Sequence, residues 1–179
     1  KNVLPDMLTS GEKMTAYVFD GYWKDVGTID SLYEANMDLL GDVPKIDVTD
    51  KKWKIQSRNP LMQPQYLGKG SKVINSIVMS GSEIWGEVDN SVLSSGVIVK
   101  KGAKVKDSII MANTVIEEGA IVNYSIIDEN TEIGSKAKIG EKKSDSVKIA
   151  LLGRNIKVEA GAVVPQGAIV DKDVVKEVK

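Results

Sequence analysis

The 179-residue sequence contains no cysteine and no histidine. Those two absences exclude a disulfide framework, a thiolate nucleophile, a Cys/His zinc site and any Ser-His-Asp or Cys-His catalytic apparatus. Any metal bound here is a hard cation held by oxygen. An excess of either charge is lacking too. There are 24 Lys+Arg against 25 Asp+Glu, a net charge of −1, which leaves no bulk attraction for nucleic acid or an anionic membrane. Apolar runs such as IALL at 149–152 fall far short of the roughly 20 residues that span a bilayer. The first residues also lack the basic-then-apolar pattern of a signal peptide. The expectation is a soluble, cytoplasmic protein. The sequence starts at Lys1 and runs at once into NVLPDML, which reads as part of a helix, so the chain is expected to be the C-terminal part of something longer.

With 42% apolar and 27% charged residues, the composition is that of a globular protein of about one domain, or of one domain with an attached piece of another. Valine occurs 22 times and isoleucine 18 times, while phenylalanine occurs once. This β-branched bias favours strands, and it is concentrated after the first 60 residues. Before that point, residues 14–19 alternate as a strand would. Thr28 stands where it would N-cap a helix running through Ile29, Leu32, Tyr33, Met37 and Leu40 to a C-cap at Gly41. Residues 43–65 are polar, hold three of the five prolines, and offer only Ile46, Val48, Trp53, Ile55 and Leu61 as anchors. They read as a connecting arm.

From residue 66 the chain repeats itself. Asn75-Ser76-Ile77-Val78, Asn90-Ser91-Val92-Leu93, Asp107-Ser108-Ile109-Ile110 and Tyr124-Ser125-Ile126-Ile127 are the same text at intervals of 15, 17 and 17 residues. A finer period lies within it: Leu93, Val99, Val105, Ile110, Ile116, Val122, Ile127, Ile133 and Ile139 are five or six residues apart. A period near six is neither helical nor a simple strand alternation. It fits a short strand plus a corner, three of which make a coil. Gly96, Gly102, Asn113, Gly119, Asn123, Asn130 and Gly134 are the candidate corner residues. This is the hexapeptide pattern of a mainly β protein, a left-handed parallel β-helix. The pattern breaks at the charged EKKSDS after Gly140 and resumes with Val158, Val164 and Val170. The tail DKDVVKEVK is expected to cover the open end.

The stretch GYWKDVGTIDSLYEANMDLL at 21–40, the PQY at 64–66 and the NSIV and NSVL repeats together resemble the bacterial glucose-1-phosphate adenylyltransferase (ADP-glucose pyrophosphorylase) family of sugar-nucleotide pyrophosphorylases. The resemblance covers essentially the whole chain. WxDxGT alone would indicate only some sugar nucleotidyltransferase. The resemblance divides the chain into the end of an α/β nucleotidyltransferase domain (1–42), an arm (43–65) and a β-helix domain (66–179). It implies conversion of ATP and glucose 1-phosphate to ADP-glucose and pyrophosphate for glycogen synthesis, with Mg²⁺ as the cofactor. Asp25 matches the family aspartate that helps hold the metal with a second aspartate from earlier in the domain, and is the candidate catalytic residue. Trp23, Val26, Gly27 and Thr28 would frame its loop, with Gly27 admitting a tight turn. Simple packing explains Trp23 and Tyr22 equally well, and an N-cap explains Thr28 better than a ligand role does.

The family further implies a homo-oligomer, a tetramer, associating through the β-helix, and allosteric control by phosphorylated metabolites. Lys100, Lys101, Lys104 and Lys106 are candidates for such an effector site, although clustered charges of this kind are usually a solvated face. Arg58 and Arg154, the only arginines, are candidate anion ligands that surface ion pairs explain as easily. The family's glycine-rich GGGxGTRL-type nucleotide loop does not occur in these 179 residues, so this piece alone is expected to be inactive. Hexapeptide acyltransferases and γ-type carbonic anhydrases are excluded by the lack of histidine. A non-catalytic regulatory paralogue, and a nucleotidyltransferase for another base or sugar, stay open.

Overall fold

The computed structural model describes residues 2–48, 50–56 and 60–176. Two helices come first, α1 (Val3–Thr9) and α2 (Ile29–Met37). Among the described residues there is no helix long and apolar enough to cross a membrane. Eighteen short strands then follow in six triplets. The first three triplets are β1 (Tyr66–Leu67), β2 (Lys72–Ile74), β3 (Ile77–Val78); β4 (Glu83–Ile84), β5 (Glu87–Asp89), β6 (Val92–Leu93); and β7 (Ile98–Val99), β8 (Lys104–Lys106), β9 (Ile109–Ile110). The last three are β10 (Val115–Ile116), β11 (Ile121–Asn123), β12 (Ser125–Ile127); β13 (Glu132–Ile133), β14 (Lys138–Ile139), β15 (Ala150–Leu152); and β16 (Lys157–Val158), β17 (Val163–Val164), β18 (Ile169–Val170). Every third strand joins the same parallel sheet, giving three six-stranded sheets wrapped about one axis. This is a parallel β-helix of six coils.

Register stacks like on like. One interior column is Ile84, Val99, Ile116, Ile133 and Val158. A second is Val88, Val105, Val122, Ile139 and Val164, and a third is Leu93, Ile110, Ile127 and Leu152. All of these are buried, and each contributes about 1.5–3 kcal/mol by leaving water. All nine residues of the period-six series therefore point inward, as their spacing predicts.

The corners sit where the repeat places them, with two corrections. Gly96, Gly102, Asn113, Gly119 and Asn130 have positive φ, but Asn123 and Gly134 do not; Tyr124 (φ 41°) and Lys136 (φ 60°) take the left-handed conformation instead. Position in the coil governs the backbone here, and the side chain accommodates it. Asn75, Asn90, Asp107 and Tyr124, the first residues of the four tetrapeptides, all have positive φ. The serine that follows turns inward and builds a ladder. Ser108 Oγ donates to the Lys106 carbonyl (2.7 Å) and accepts from Ser125 N–H (3.2 Å), and Ser91 Oγ accepts from Ser108 N–H (3.0 Å). Alongside it, Asn75 Nδ2 donates to Asn90 Oδ1 and Asn90 Nδ2 to Asp107 Oδ1.

The described part of the tail, residues 171–176, does lie over one sheet end; residues 177–179 lie outside the described residues. Val174 forms a parallel bridge with Val158, and Asp173 accepts from the Lys157 backbone N–H. The expectations for the first part fare less well. Residues 14–19 form no strand, because a strand needs a neighbouring edge and no described segment supplies one. Helix α2 stops at Met37, and the chain reaches Gly41 (φ 98°) through tight turns in which Leu39 N–H donates to Asn36 O and Leu40 N–H to Met37 O. In the arm, Val48, Trp53, Ile55 and Leu61 are exposed and do not anchor it; Ile46 alone of the five is half-buried.

Helix α2 packs on the third sheet. There the first residue of each tetrapeptide's aliphatic pair points outward, which would place Ile109 and Ile126 in water. Instead they are buried with Tyr33 and Ile149, and Ile29, Leu32 and Met37 pack against them. Tyr33 donates its hydroxyl to the Asp107 carbonyl (3.0 Å) and meets Tyr124 edge-on at 4.9 Å. Lys143, from the charged loop that interrupts the repeat, lies over both rings.

Candidate functional site

The WKDVGT loop is set by α2 at both of its ends. At the helix start, Thr28 is the N-cap: Ser31 N–H donates to Thr28 Oγ1 (3.1 Å) and Thr28 N–H donates to Ser31 Oγ (3.0 Å), a reciprocal capping box. At the helix end, Asp38 is buried with both carboxylate oxygens engaged. Tyr22 Oη donates to Oδ2 (3.0 Å), Lys24 Nζ reaches the same oxygen (3.3 Å), and Lys45 Nζ lies 2.7 Å from Oδ1. Lys24 also pairs with Glu34 at 2.7 Å. Hydrogen bonds from Lys45, Tyr22 and Lys24 hold the Asp38 carboxyl below its usual range, against the opposing effect of burial. Burial first, then the bond to Asp38, raises the Tyr22 phenol, and the bond to Glu34 raises Lys24.

Between these anchors Trp23, Asp25, Val26 and Gly27 are exposed. Trp23 is 76% exposed, so packing within the described residues does not explain it. Gly27 has an ordinary φ, and a Cβ added there would lie 3.6 Å from Asp25 Oδ1, a normal contact. Among the described residues, neither the backbone at Gly27 nor the space around it demands glycine. The sequence reading missed Tyr22, Lys24 and Asp38 as a group. The signal available to it was the alternation of residues 22–25, which in an extended segment sends 22 and 24 to one side and 23 and 25 to the other.

Asp25 presents a lone carboxylate. Among the described residues no group of three or more acidic side chains is placed to hold a metal ion.

The four lysines considered for an effector are spread over a corner and a strand. Lys104 pairs with Glu87 (3.6 Å), which also pairs with Lys72 (3.5 Å), and Lys106 pairs with Asp89 (2.6 Å). Lys100 and Lys101 line a shallow depression of about 390 Å³ shared with Glu83, Glu117 and Glu118. Arg154 pairs with Glu129 (3.5 Å); Arg58 lies outside the described residues.

A family model described as GlmU-like, C-terminal hexapeptide, matches residues 62–151. The chain belongs to that family. The match starts in the arm and ends within β15, so this hexapeptide protein carries its family's repeat through most of its coils. A second model, nucleotidyl transferase, matches residues 1–41, which include the WKDVGT loop and α2. Among curated relatives, glucose-1-phosphate adenylyltransferase of Desulforamulus reducens is 40% identical over 173 residues, 97% of this chain and 43% of that protein. The protein of the same name from Clostridium perfringens is 52% identical over 106 residues, 59% of this chain and 27% of that one, and that of Clostridioides difficile is 51% identical over 105 residues. The hexapeptide chain thus spans less than half the length of the curated relatives it matches, and the resemblance read from its motifs agrees with their names.

Proposed function

We propose that the chain is the C-terminal portion of a glucose-1-phosphate adenylyltransferase, which joins ATP and glucose 1-phosphate into ADP-glucose with release of pyrophosphate. The carrying observation is order and contact together. A nucleotidyl transferase segment ending in WKDVGT and α2 is docked directly on a hexapeptide β-helix, and one relative of that name matches 97% of the chain. In the reaction an oxygen of the sugar phosphate attacks the α-phosphorus of ATP, and the bond to the pyrophosphate oxygen breaks. Catalysis is then mainly positioning and charge neutralisation.

In this reading Asp25 is the carboxylate that this segment contributes. Mg²⁺ neutralises phosphate charge in such transfers. Mg²⁺ in such sites is held by one or two carboxylates together with phosphate oxygens, and by resemblance to the family a second aspartate from earlier in the domain would join Asp25. Association of β-helices into a homo-oligomer, a tetramer by resemblance, and binding of a phosphorylated effector near Lys100, Lys101 and Lys104 belong to the same reading.

The test is an assay of the full-length protein with Mg²⁺, ATP and glucose 1-phosphate, with and without Asp25→Asn. Formation of ADP-glucose that Asp25→Asn abolishes while the fold survives supports the enzyme. An inactive wild type overturns it in favour of a regulatory paralogue.

A further inference from the structure

Asp25 does little to hold itself in place, for it is exposed. Its direction comes from the residues beside it. Tyr22 and Lys24 are half-buried where Trp23 and Asp25 are exposed, and they converge on one oxygen, Asp38 Oδ2. Lys24 bridges Glu34 and Asp38, which are four apart and so adjacent on the face of the helix. Thr28 fixes the other end of the segment to the first turn of the same helix. Asp25 is thus suspended between two attachments to α2, with its own side chain exposed. The second oxygen of Asp38 is taken by Lys45, so this buried carboxylate is fully used within the chain.

We propose that Tyr22, Lys24 and Asp38 form a clasp that sets the direction of the Asp25 carboxylate, which makes them positioning residues for nucleotidyl transfer. The proposal rests on the reading of Asp25 given above. A carboxylate at a phosphoryl centre works only if held to a fraction of an ångström, and the shell behind it does the holding. Releasing Lys24 frees residues 23–27 to swing while Thr28 and the β-helix stay fixed.

The experiment uses the full-length protein with Lys24→Met, Lys24→Arg and Tyr22→Phe, measuring kcat, KM for both substrates and amide exchange along the chain. In Lys24→Met, kcat falls roughly 10- to 100-fold with KM values within about threefold of wild type. Exchange at residues 23–27 accelerates in that variant while the β-helix stays protected. Lys24→Arg, which keeps the charge and reach, restores both. Tyr22→Phe, which loses one hydroxyl and keeps the packing, shows the same pattern at about a threefold loss in kcat; it carries the test should Lys24→Met fail to fold. Unchanged kcat and unchanged exchange in the variants that fold overturn the clasp. So does a loss of kcat that Lys24→Arg shares without faster exchange, since Lys24 would then be acting on substrate. If the wild type makes no ADP-glucose, the enzyme reading fails by itself, and the clasp is decided by exchange at residues 23–27: faster exchange upholds it, and wild-type exchange overturns it.

Discussion

Residues 66–176 and residues 2–45 obey opposite rules. In the β-helix every coil brings one aliphatic per side to the axis, and Ile84, Val99, Ile116, Ile133 and their companions are fully enclosed by their own repeats. Among the described residues of the first part Tyr33 is the only buried apolar one, while Val3, Leu4, Leu8, Tyr17, Val18 and Phe19 are exposed by 60% or more. A solenoid closes its core with text that lies one coil away. A segment matched by a nucleotidyl transferase model has no such internal partner, and here it is held mainly through α2, with Gly41 N–H donating to Asn75 Oδ1 (2.9 Å) just beyond the helix. The lesson is that burial follows from where the partner lies in the sequence as much as from how apolar a residue is.

That contrast is broken most severely from inside the solenoid. Ile133→Asp puts an unpaired carboxyl among fully buried aliphatics and is expected to destabilise the β-helix by about 4 kcal/mol or more; chemical denaturation followed by circular dichroism measures it. Tyr33→Ala attacks the buried centre of the contact between the two regions. It removes the ring from between Ile109, Ile126 and Tyr124 and should cost about 3 kcal/mol of docking. Exchange on α2 then accelerates while the coils stay protected. If the coils loosen equally, the two regions are one cooperative unit.

Ser108→Ala takes one rung from the serine ladder. It leaves the Ser125 N–H without its partner in a buried place, at a cost of about 1–3 kcal/mol, read as a lower denaturation midpoint with unchanged slope. Acid sharpens the comparison further. The Asp38 carboxyl is lowered in the folded state by Lys45, Tyr22 and Lys24, with Glu34 sharing Lys24. Its stabilisation is therefore complete above the ordinary carboxylate range, and it fades as pH drops below about 4 and through the lowered value. Residues 22–24 should lose exchange protection in that window before the β-helix interior does. Glu118→Gln, on the exposed outer surface, should change stability by no more than about 0.5 kcal/mol.

How much was legible follows the same division. The interior columns were readable because a period of five or six leaves one place for Leu93, Val105 or Ile139 to point. The corners were readable as positions but less well as residue types. Lys136 follows Gly102 and Gly119 at intervals of 17, so the repeat marks it, whereas its side chain gives no hint of positive φ. The burial of Ile109 and Ile126 on the outer face was hidden, since it depends on Tyr33, 74 residues upstream of Asp107. The clasp on Asp38 was hidden for the same reason on a smaller scale: no local pattern says that Tyr22 and Lys24 meet one carboxylate 16 and 14 residues on.

The coil length has a kinetic consequence. The ladder rungs join residues 15 or 17 apart, rising to 25 only across the charged loop. Each added coil therefore closes a loop of nearly constant size, and closure entropy depends only on the logarithm of that size. Growth from any formed coil costs about the same at every step, so the barrier need not rise with the number of coils, although the protein is built almost wholly from parallel pairings that elsewhere fold slowly. The Tyr33 contact spans far more chain and has no surface to land on until Ile109, Ile126 and Tyr124 are stacked. In refolding, protection of α2 should accordingly trail that of the coils beneath it.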